Sequence, residues 1–227
     1  MAVNKKGRLV VIEGIDGSGK STQYERLKKR LTAGKIEYKY VSFPNYKTPS
    51  GEVIKRYLNG NYGGLDDISP YAASSFFAVD RCASFLSEPW GRTYKNGGIV
   101  LAARYTTSNA IHQASRLGSD EQHRYFKWLE DFEYGYLGLP KPDEVFYLAL
   151  PTELAAKHIA SRAARFHISK DIHERNIEYL QKCALTAEMA AQHFSWQKIE
   201  VTENGRMLPA AKITEILYAK ILKVIGE

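Results

Sequence analysis

Gly14-Ile15-Asp16-Gly17-Ser18-Gly19-Lys20-Ser21 is where residue types and spacing in this chain most directly prescribe chemistry. The glycines let successive backbone N–H groups converge on phosphate oxygens, at the start of a helix whose dipole favours anions. Lys20 is then placed to reach the β and γ phosphates of a nucleoside triphosphate, and the Ser21 hydroxyl to ligate magnesium. The apolar run Leu9-Val10-Val11-Ile12 precedes the loop, and Thr22–Leu31 reads as a helix after it. A strand–loop–helix context is what such a loop requires, so Gly14, Asp16, Gly17, Ser18, Gly19, Lys20, Ser21 and Thr22 form the candidate triphosphate site. A glycine-rich turn that merely joins a strand to a helix is the plain alternative.

These residues need a scaffold, and the rest of the chain supplies one. Strand-like runs occur at Leu9–Glu13, Tyr38–Phe43, Ile99–Ala102, Val145–Leu150 and Lys198–Val201. Several are nearly continuous apolar runs, as expected of strands buried on both faces. Helical stretches lie between them. Tyr125, Trp128, Leu129 and Phe132 follow a helical period, as do Ile177, Leu180, Ala184, Ala187, Ala191 and Phe194, and finally Ile213, Ile216, Leu217, Ile221 and Val224. The alternation predicts an α/β fold, a five-stranded parallel sheet with helices on both faces. In such sheets ligands bind beyond the carboxyl ends of the strands, which draws attention to Pro44-Asn45-Tyr46, Ala103-Arg104-Tyr105 and Thr202–Arg206.

Composition narrows the classes. No Pro/Gly/Ser-rich or single-charge block divides the 227 residues, so residues 1–227 read as one domain. Aromatic content of 12% is too high for a disordered chain. The net charge of +7 suits an anionic partner, but the basic residues are scattered rather than gathered in a stripe, which argues against nucleic acid. Cys82 and Cys183 stand far apart without metal-ligand spacing and read as free thiols of a reducing compartment. The first residues lack a signal-peptide apolar segment and no run approaches membrane-spanning length, so the expectation is a cytoplasmic protein with no membrane partner.

Longer stretches carry a resemblance. Val11–Gln23, Phe43-Pro44-Asn45-Tyr46, Phe76-Phe77-Ala78-Val79-Asp80-Arg81, Arg104–Ala110 and Gly138-Leu139-Pro140-Lys141-Pro142-Asp143 resemble, in order and spacing, the thymidylate kinases. The resemblance runs from about Arg8 to about Phe194. It implies the three-layer fold of phosphate-loop nucleoside monophosphate kinases, with a mobile lid at about 161–174. It also implies transfer of the γ-phosphoryl of ATP to dTMP with magnesium, in dTTP biosynthesis, and a homodimer packed through helices.

Roles follow by position. Phe77 matches the aromatic that stacks on thymine and Arg81 the arginine that donates to its carbonyl; at i and i+4 they share one helical face. Arg104 matches the arginine that grips the monophosphate, which a planar guanidinium suits. Asp16 would sit near the acceptor's sugar and phosphate, Tyr105 would wall the sugar, and Asn109 would meet the pyrimidine edge, with Phe43 beside them. Packing, capping or turn roles are the plain alternatives for all of these. Lys20, Arg104 and the lid residues Arg162 and Arg165 are the expected catalytic cations, because the position at which some relatives carry a loop arginine is Gly17. His167 and His173 are not expected to be catalytic, since this transfer needs no imidazole base.

Two positions depart from the pattern. The family usually has Asp at position 103, where it helps hold magnesium through water, and this chain has Ala103. Ala149 also stands where close relatives carry Asp. Glu13, Asp171 and Glu174 are conceivable substitutes. Asn45 is neutral where some relatives place an arginine. The sequence therefore leaves three readings open: a dTMP kinase with impaired metal handling, a kinase for another pyrimidine monophosphate, and a nucleotide-binding homologue without turnover.

Overall fold

A computed structural model describes residues 6–166 and 177–226; the side chains of 162, 163, 165 and 166 lie outside that description. The chain runs β1 (Arg8–Glu13), α1 (Lys20–Ala33), β2 (Tyr38–Ser42), α2 (Pro49–Leu58), α3 (Pro70–Ser87), α4 (Pro89–Lys95), β3 (Ile99–Ala103), α5 (Thr106–His112) and α6 (Ser119–Glu130). A π-helical stretch, Asp131–Tyr136, follows α6 directly. Then come β4 (Glu144–Ala149), α7 (Thr152–Phe166), α8 (Ile177–His193), β5 (Gln197–Glu200), a two-stranded ribbon of β6 (Thr202–Glu203) and β7 (Arg206–Met207), and α9 (Ala210–Ile225).

The five long strands form one parallel sheet in the order β2-β3-β1-β4-β5. Each of the five strand-like runs in the sequence is a strand of this sheet, with boundaries shifted by a residue. Alternation along β1 divides the core. Val10 and Ile12 face one layer with Tyr24, Leu27, Phe146, Leu217 and Ile221, while Leu9 and Val11 face the other with Trp90, Val100, Ala102 and Tyr105. Successive residues of β1, β3 and β4 are buried on both sides, which is why those strands read as unbroken apolar runs.

Local signals set the helix starts. Thr48 and Ser69 cap α2 and α3 by accepting from the backbone N–H of Gly51 and Ala72, each followed by proline in the first turn. The stripe on α6 is less simple than its period suggests. Tyr125, Phe126 and Leu129 are fully buried, whereas Trp128 and Phe132 are half-exposed and stack on each other. The buried line continues four residues past Leu129 to Glu133, a carboxylate inside the π-helical turn. Such turns recur at functional sites because they re-aim side chains.

Candidate active site

Because β1 is central, with β3 on one side and β4 on the other, the loops leaving β1, β2 and β3 gather at one end of the sheet. The phosphate loop leaves β1 with Gly14, Gly17 and Gly19 at φ of 155°, 81° and 93°. L side chains rarely adopt such angles, so the loop's path depends on these glycines. Packing adds a second requirement at Gly17: a Cβ there would lie 2.4 Å from the Ala155 carbonyl oxygen on α7. Helix α7 therefore presses on the loop, and His158 Nδ1 lies 3.0 Å from the Gly17 carbonyl oxygen.

Residues of this loop, from Asp16 to Thr22, line a cavity of about 660 Å³ together with Tyr40, Ala103, Arg104, Met207, Leu208 and Ala210. Lys20 is buried along it and its Nζ donates to the carbonyls of Gly14 and Ile15. The Ser18 hydroxyl is buried with no hydrogen-bond partner among the described residues. An unsatisfied buried hydroxyl in this loop fits a bound phosphate, since buried polar groups ordinarily find partners. Beyond the Thr202–Arg206 segment that follows the fifth strand, Met207, Leu208 and Ala210 line this cavity.

A second cavity of about 130 Å³ adjoins the first and shares Asp16, Phe43 and Arg104 with it. Its apolar side is built from Phe43, Pro44, Tyr46, Leu58 and Phe77, and its polar side from Asp16, Arg81, Arg104, Ser108, Asn109, His112 and Gln113. The β2 loop enters it through a cis Phe43–Pro44 peptide bond. Asp80 holds that loop, accepting from the Asn45 backbone N–H at 2.8 Å and from the Ser50 hydroxyl at 2.7 Å.

Charge in this cavity is paired. Arg104 ends β3 at φ 59°, a left-handed angle uncommon for arginine, and its guanidinium is ion-paired with Asp16 across the mouth of the phosphate loop. Burial alone would raise the Asp16 carboxyl. The Arg104 guanidinium, with His112 and Lys20 behind it, outweighs burial and holds it well below the usual carboxylate range. His112 Nε2 lies 3.3 Å from Arg104 Nη1. On α3, Arg81 is almost wholly buried and forks onto Glu133: Nε donates to Oε2 at 2.7 Å and Nη2 to Oε1 at 2.5 Å. Burial disfavours the Arg81 charge, and Glu133 more than restores it. The Asn109 side-chain amide donates to Glu133 Oε1 and to the Ser74 carbonyl, both at 3.3 Å.

The structure thus brings together most of the residues picked from sequence. Asp16, Phe43, Phe77, Arg81, Arg104 and Asn109 share the smaller cavity. Tyr105 does not: it is fully buried, its ring packs near Phe43, and its hydroxyl donates to the Pro140 carbonyl. It follows Arg104, whose φ of 59° breaks the strand, and packs in the core layer of Val100 and Ala102, away from the residues that line the cavity. Of the expected lid, residues 167–174 lie outside the described residues, as do the side chains of Arg162 and Arg165 and the candidates His167, Asp171, His173 and Glu174. Glu13 is in place but committed: its carboxylate accepts from the Gly14 backbone N–H and from the Thr107 and Ser108 hydroxyls.

Sequence reasoning passed over Glu133, Asp80 and His112. His112 had a signal, lying four residues after Ser108 and three after Asn109 on one helical face. Glu133 had one too, as a charge continuing the apolar line Tyr125–Leu129 at a spacing of four.

Magnesium can be tested against the donor set. Among the described residues no group of three or more His, Cys, Asp or Glu gathers as a metal site. Ser21 is exposed at the start of α1 and offers one hard oxygen. One protein oxygen plus phosphates and water suits magnesium arriving with a nucleotide, so the residues fit the ion in that form.

A glycine-rich loop lines one cavity, a ring, a buried arginine and an amide line the one adjoining it, and a second arginine lies between them. A family model described as thymidylate kinase matches residues 12–208. The chain belongs to the thymidylate kinase family. It is 35% identical over 188 residues to the thymidylate kinase of Mycobacterium tuberculosis, covering 81% of this chain and 86% of that one. The human thymidylate kinase is 26% identical over 224 residues, 98% of this chain and 91% of the other. A solved structure of thymidylate kinase from Candida albicans shares the fold, with a TM-score of 0.70 over 96% of this chain and 92% of that one, at 22% identity. A thymidylate kinase is a phosphotransferase. Ala103, expected from the resemblance to be a carboxylate position, lines the larger cavity with a methyl group. Among the described residues no helix is long and apolar enough to cross a membrane.

Proposed function

We propose that this chain transfers the γ-phosphoryl group of ATP to dTMP, with ATP in the 660 Å³ cavity and dTMP in the 130 Å³ cavity. The observation that carries this reading is that the two cavities meet at Asp16 and Arg104. A phosphate oxygen of dTMP attacks the γ-phosphorus, the bond from that phosphorus to the β–γ bridging oxygen breaks, and ADP leaves with the electron pair, giving dTDP. There is little covalent work for the protein in such a transfer, so rate comes from positioning and from charge placed on the moving group.

Each residue then has a task. The loop amides and Lys20 hold the donor phosphates, and Ser18 satisfies its unpaired hydroxyl on one of them. Arg104 exchanges part of its pairing with Asp16 for the acceptor phosphate. Phe77 stacks on the pyrimidine, while Arg81 and Asn109 address its edge. Ser21 would hold a magnesium ion arriving with the nucleotide, and the ion would supply charge neutralisation at the phosphates. Arg162 and Arg165 are the candidates for further positive charge, by their place on α7.

The protein is also proposed to work as a homodimer through α3. Val79 and Leu86 stand 55% and 69% exposed, seven residues apart on one face of that helix. A second copy would cover them by an isologous contact. Sedimentation should give twice the chain mass, and Leu86→Asp should halve it.

The deciding experiment is release of ADP from ATP and magnesium with dTMP, dUMP, dCMP and dGMP compared side by side. Turnover highest with dTMP is expected. One thymine methyl is worth about 1–3 kcal/mol, so dUMP should follow within about two orders of magnitude. Saturable dTMP binding without turnover would overturn the catalytic reading and leave a nucleotide-binding homologue.

A further inference from the structure

The most heavily committed polar group next to the smaller cavity is one that neither the family pattern nor the cavity lining names. Glu133 is fully buried and accepts four hydrogen bonds, two from Arg81, one at 2.9 Å from the Thr106 hydroxyl and one from Asn109. It reaches them from the π-helical turn after α6, so one carboxylate ties α3 and α5 together at the cavity.

Chemistry fixes what the two tied residues can then offer. Arg81 has Nε and Nη2 spent on Glu133, and what remains, around Nη1, can only donate. Asn109 has its NH2 directed to two acceptors, Glu133 Oε1 and the Ser74 carbonyl, so the amide is oriented with its oxygen as the group left for a ligand. A donor beside an acceptor matches a pyrimidine edge with a carbonyl at position 4 and N–H at position 3. It opposes cytosine, which carries NH2 at position 4 and a bare ring nitrogen at position 3.

We infer that Glu133 is a positioning residue that sets the polarity of the base site, holding Arg81 as donor and Asn109 as acceptor so that 4-oxo pyrimidines are taken and 4-amino pyrimidines refused. This rests on the reading of the 130 Å³ cavity as the monophosphate site. Glu133 need not touch the base. An anion is required in its place because a neutral group could not both keep a buried guanidinium charged and orient an amide by its NH2.

The test compares Glu133→Gln with the unaltered protein, using dTMP, dCMP and ATP as the titrated substrates. The glutamine keeps shape but presents an NH2 to Arg81 or to Asn109. KM for dTMP should rise at least tenfold, and the preference for dTMP over dCMP in kcat/KM should fall at least tenfold. KM for ATP, and kcat at saturating dTMP, should stay within threefold. Losses shared equally by ATP and dTMP, in step with a lowered Tm, would make Glu133 a structural residue only and overturn the inference. Should Glu133→Gln fail to fold, Glu133→Asp keeps the charge and withdraws it by one methylene from Arg81 and Asn109. That variant should bind ATP normally and lose the dTMP preference; retention of the preference would again overturn the inference. An unaltered protein that turns over neither dTMP nor dCMP would instead count against the proposed reaction, and dTMP and dCMP affinities of the same variants, read by calorimetry, would still decide the role of Glu133.

Discussion

Asp16 and Arg104, eighty-eight positions apart in the chain, are ion-paired at the seam between the donor and acceptor cavities. The pair joins the phosphate loop after β1 to the turn after β3. Its carboxylate occupies one face of a guanidinium whose other partner would be a phosphate. A planar fork can serve two anions at once, which a lysine ammonium cannot do with the same geometry.

Arg104→Lys should therefore lower kcat/KM for dTMP by about a hundredfold or more, the scale of losing one charge-stabilising donor at a transferring group. The KM for ATP should change by less than threefold. The pH dependence follows from the carboxyl's depressed pKa. Asp16 is ionised wherever the protein is assayed, and its contribution is present above the ordinary carboxylate range and lost only as pH falls below it. Rate profiles in dTMP between pH 5 and pH 8 should thus be unaltered in shape by Asp16→Asn, whatever its effect on their height. A limb that disappears in that variant would contradict the assignment.

Gly17 accounts for one departure from relatives that carry an arginine in this loop. With φ at 81° and the Ala155 carbonyl 2.4 Å from a built Cβ, any side chain strains the backbone and pushes on α7. The two effects together should cost about 3 kcal/mol, equivalent to roughly 6–12 °C in Tm for a chain of this size. Gly17→Ala and Gly17→Arg share that Cβ, so both should lose Tm and ATP affinity similarly, as measured by thermal denaturation and ATP titration. A Gly17→Arg variant that gains activity would show that α7 yields.

Much of this was legible in the sequence for physical reasons. Strands buried on both faces leave unbroken apolar runs, and a phosphate loop must spell out its glycines, so β1, β3, β4 and the donor site are readable. Phe77 and Arg81 are picked out by the family resemblance, and because a helix places i and i+4 on one face both line the same cavity. Tyr105 lies in the core rather than along the cavity because the left-handed Arg104 before it ends the strand's alternation, which its position beside Arg104 in the sequence does not reveal. Glu133 was missed because its partners are 24 to 52 positions away, and only the fold brings Arg81, Thr106 and Asn109 to it. Asp80 was hidden in the same way, its work being done on a loop 30 to 35 positions earlier.

Ala103 lies at the carboxyl end of β3, almost fully buried, lining the donor cavity beside Arg104. An aspartate there would share the larger cavity with Lys20 and Arg104. Glu13 cannot replace it, because its oxygens are already held by Thr107, Ser108 and Gly14. Ala103→Asp should raise kcat about tenfold or more at limiting magnesium and lower the magnesium concentration needed for half-maximal rate. Identical magnesium curves for the two proteins would make the position unimportant to catalysis.

The two thiols differ in environment, and the difference predicts a measurable pH effect. Cys183 is fully buried on α8, with Ser115 Oγ at 3.4 Å and His112 Nδ1 at 3.6 Å, and burial pushes its thiol up to about 11. Cys82 is half-exposed on α3. At pH 8 a disulfide reagent should modify one thiol quickly in the native protein, none quickly in Cys82→Ser, and both in denaturant. The sign of the stability effect follows from the raised value. Below the unfolded thiol's ordinary range near 9 both states are protonated and the full stability is present. Above it the unfolded chain ionises first, so stability is lost as pH rises toward 11, by roughly 2–3 kcal/mol in all. Buried phenols such as Tyr24 and Tyr105 are also raised in the native state by burial, so the comparison must be with Cys183→Ala, in which the contributions of tyrosines distant from Cys183 are common to both proteins and that of Tyr179, which hydrogen-bonds the thiol, is not. Unfolding free energies from urea titrations at pH 8 and pH 10.5 should fall more steeply for the unaltered protein than for Cys183→Ala. Equal slopes would place the Cys183 thiol in contact with solvent.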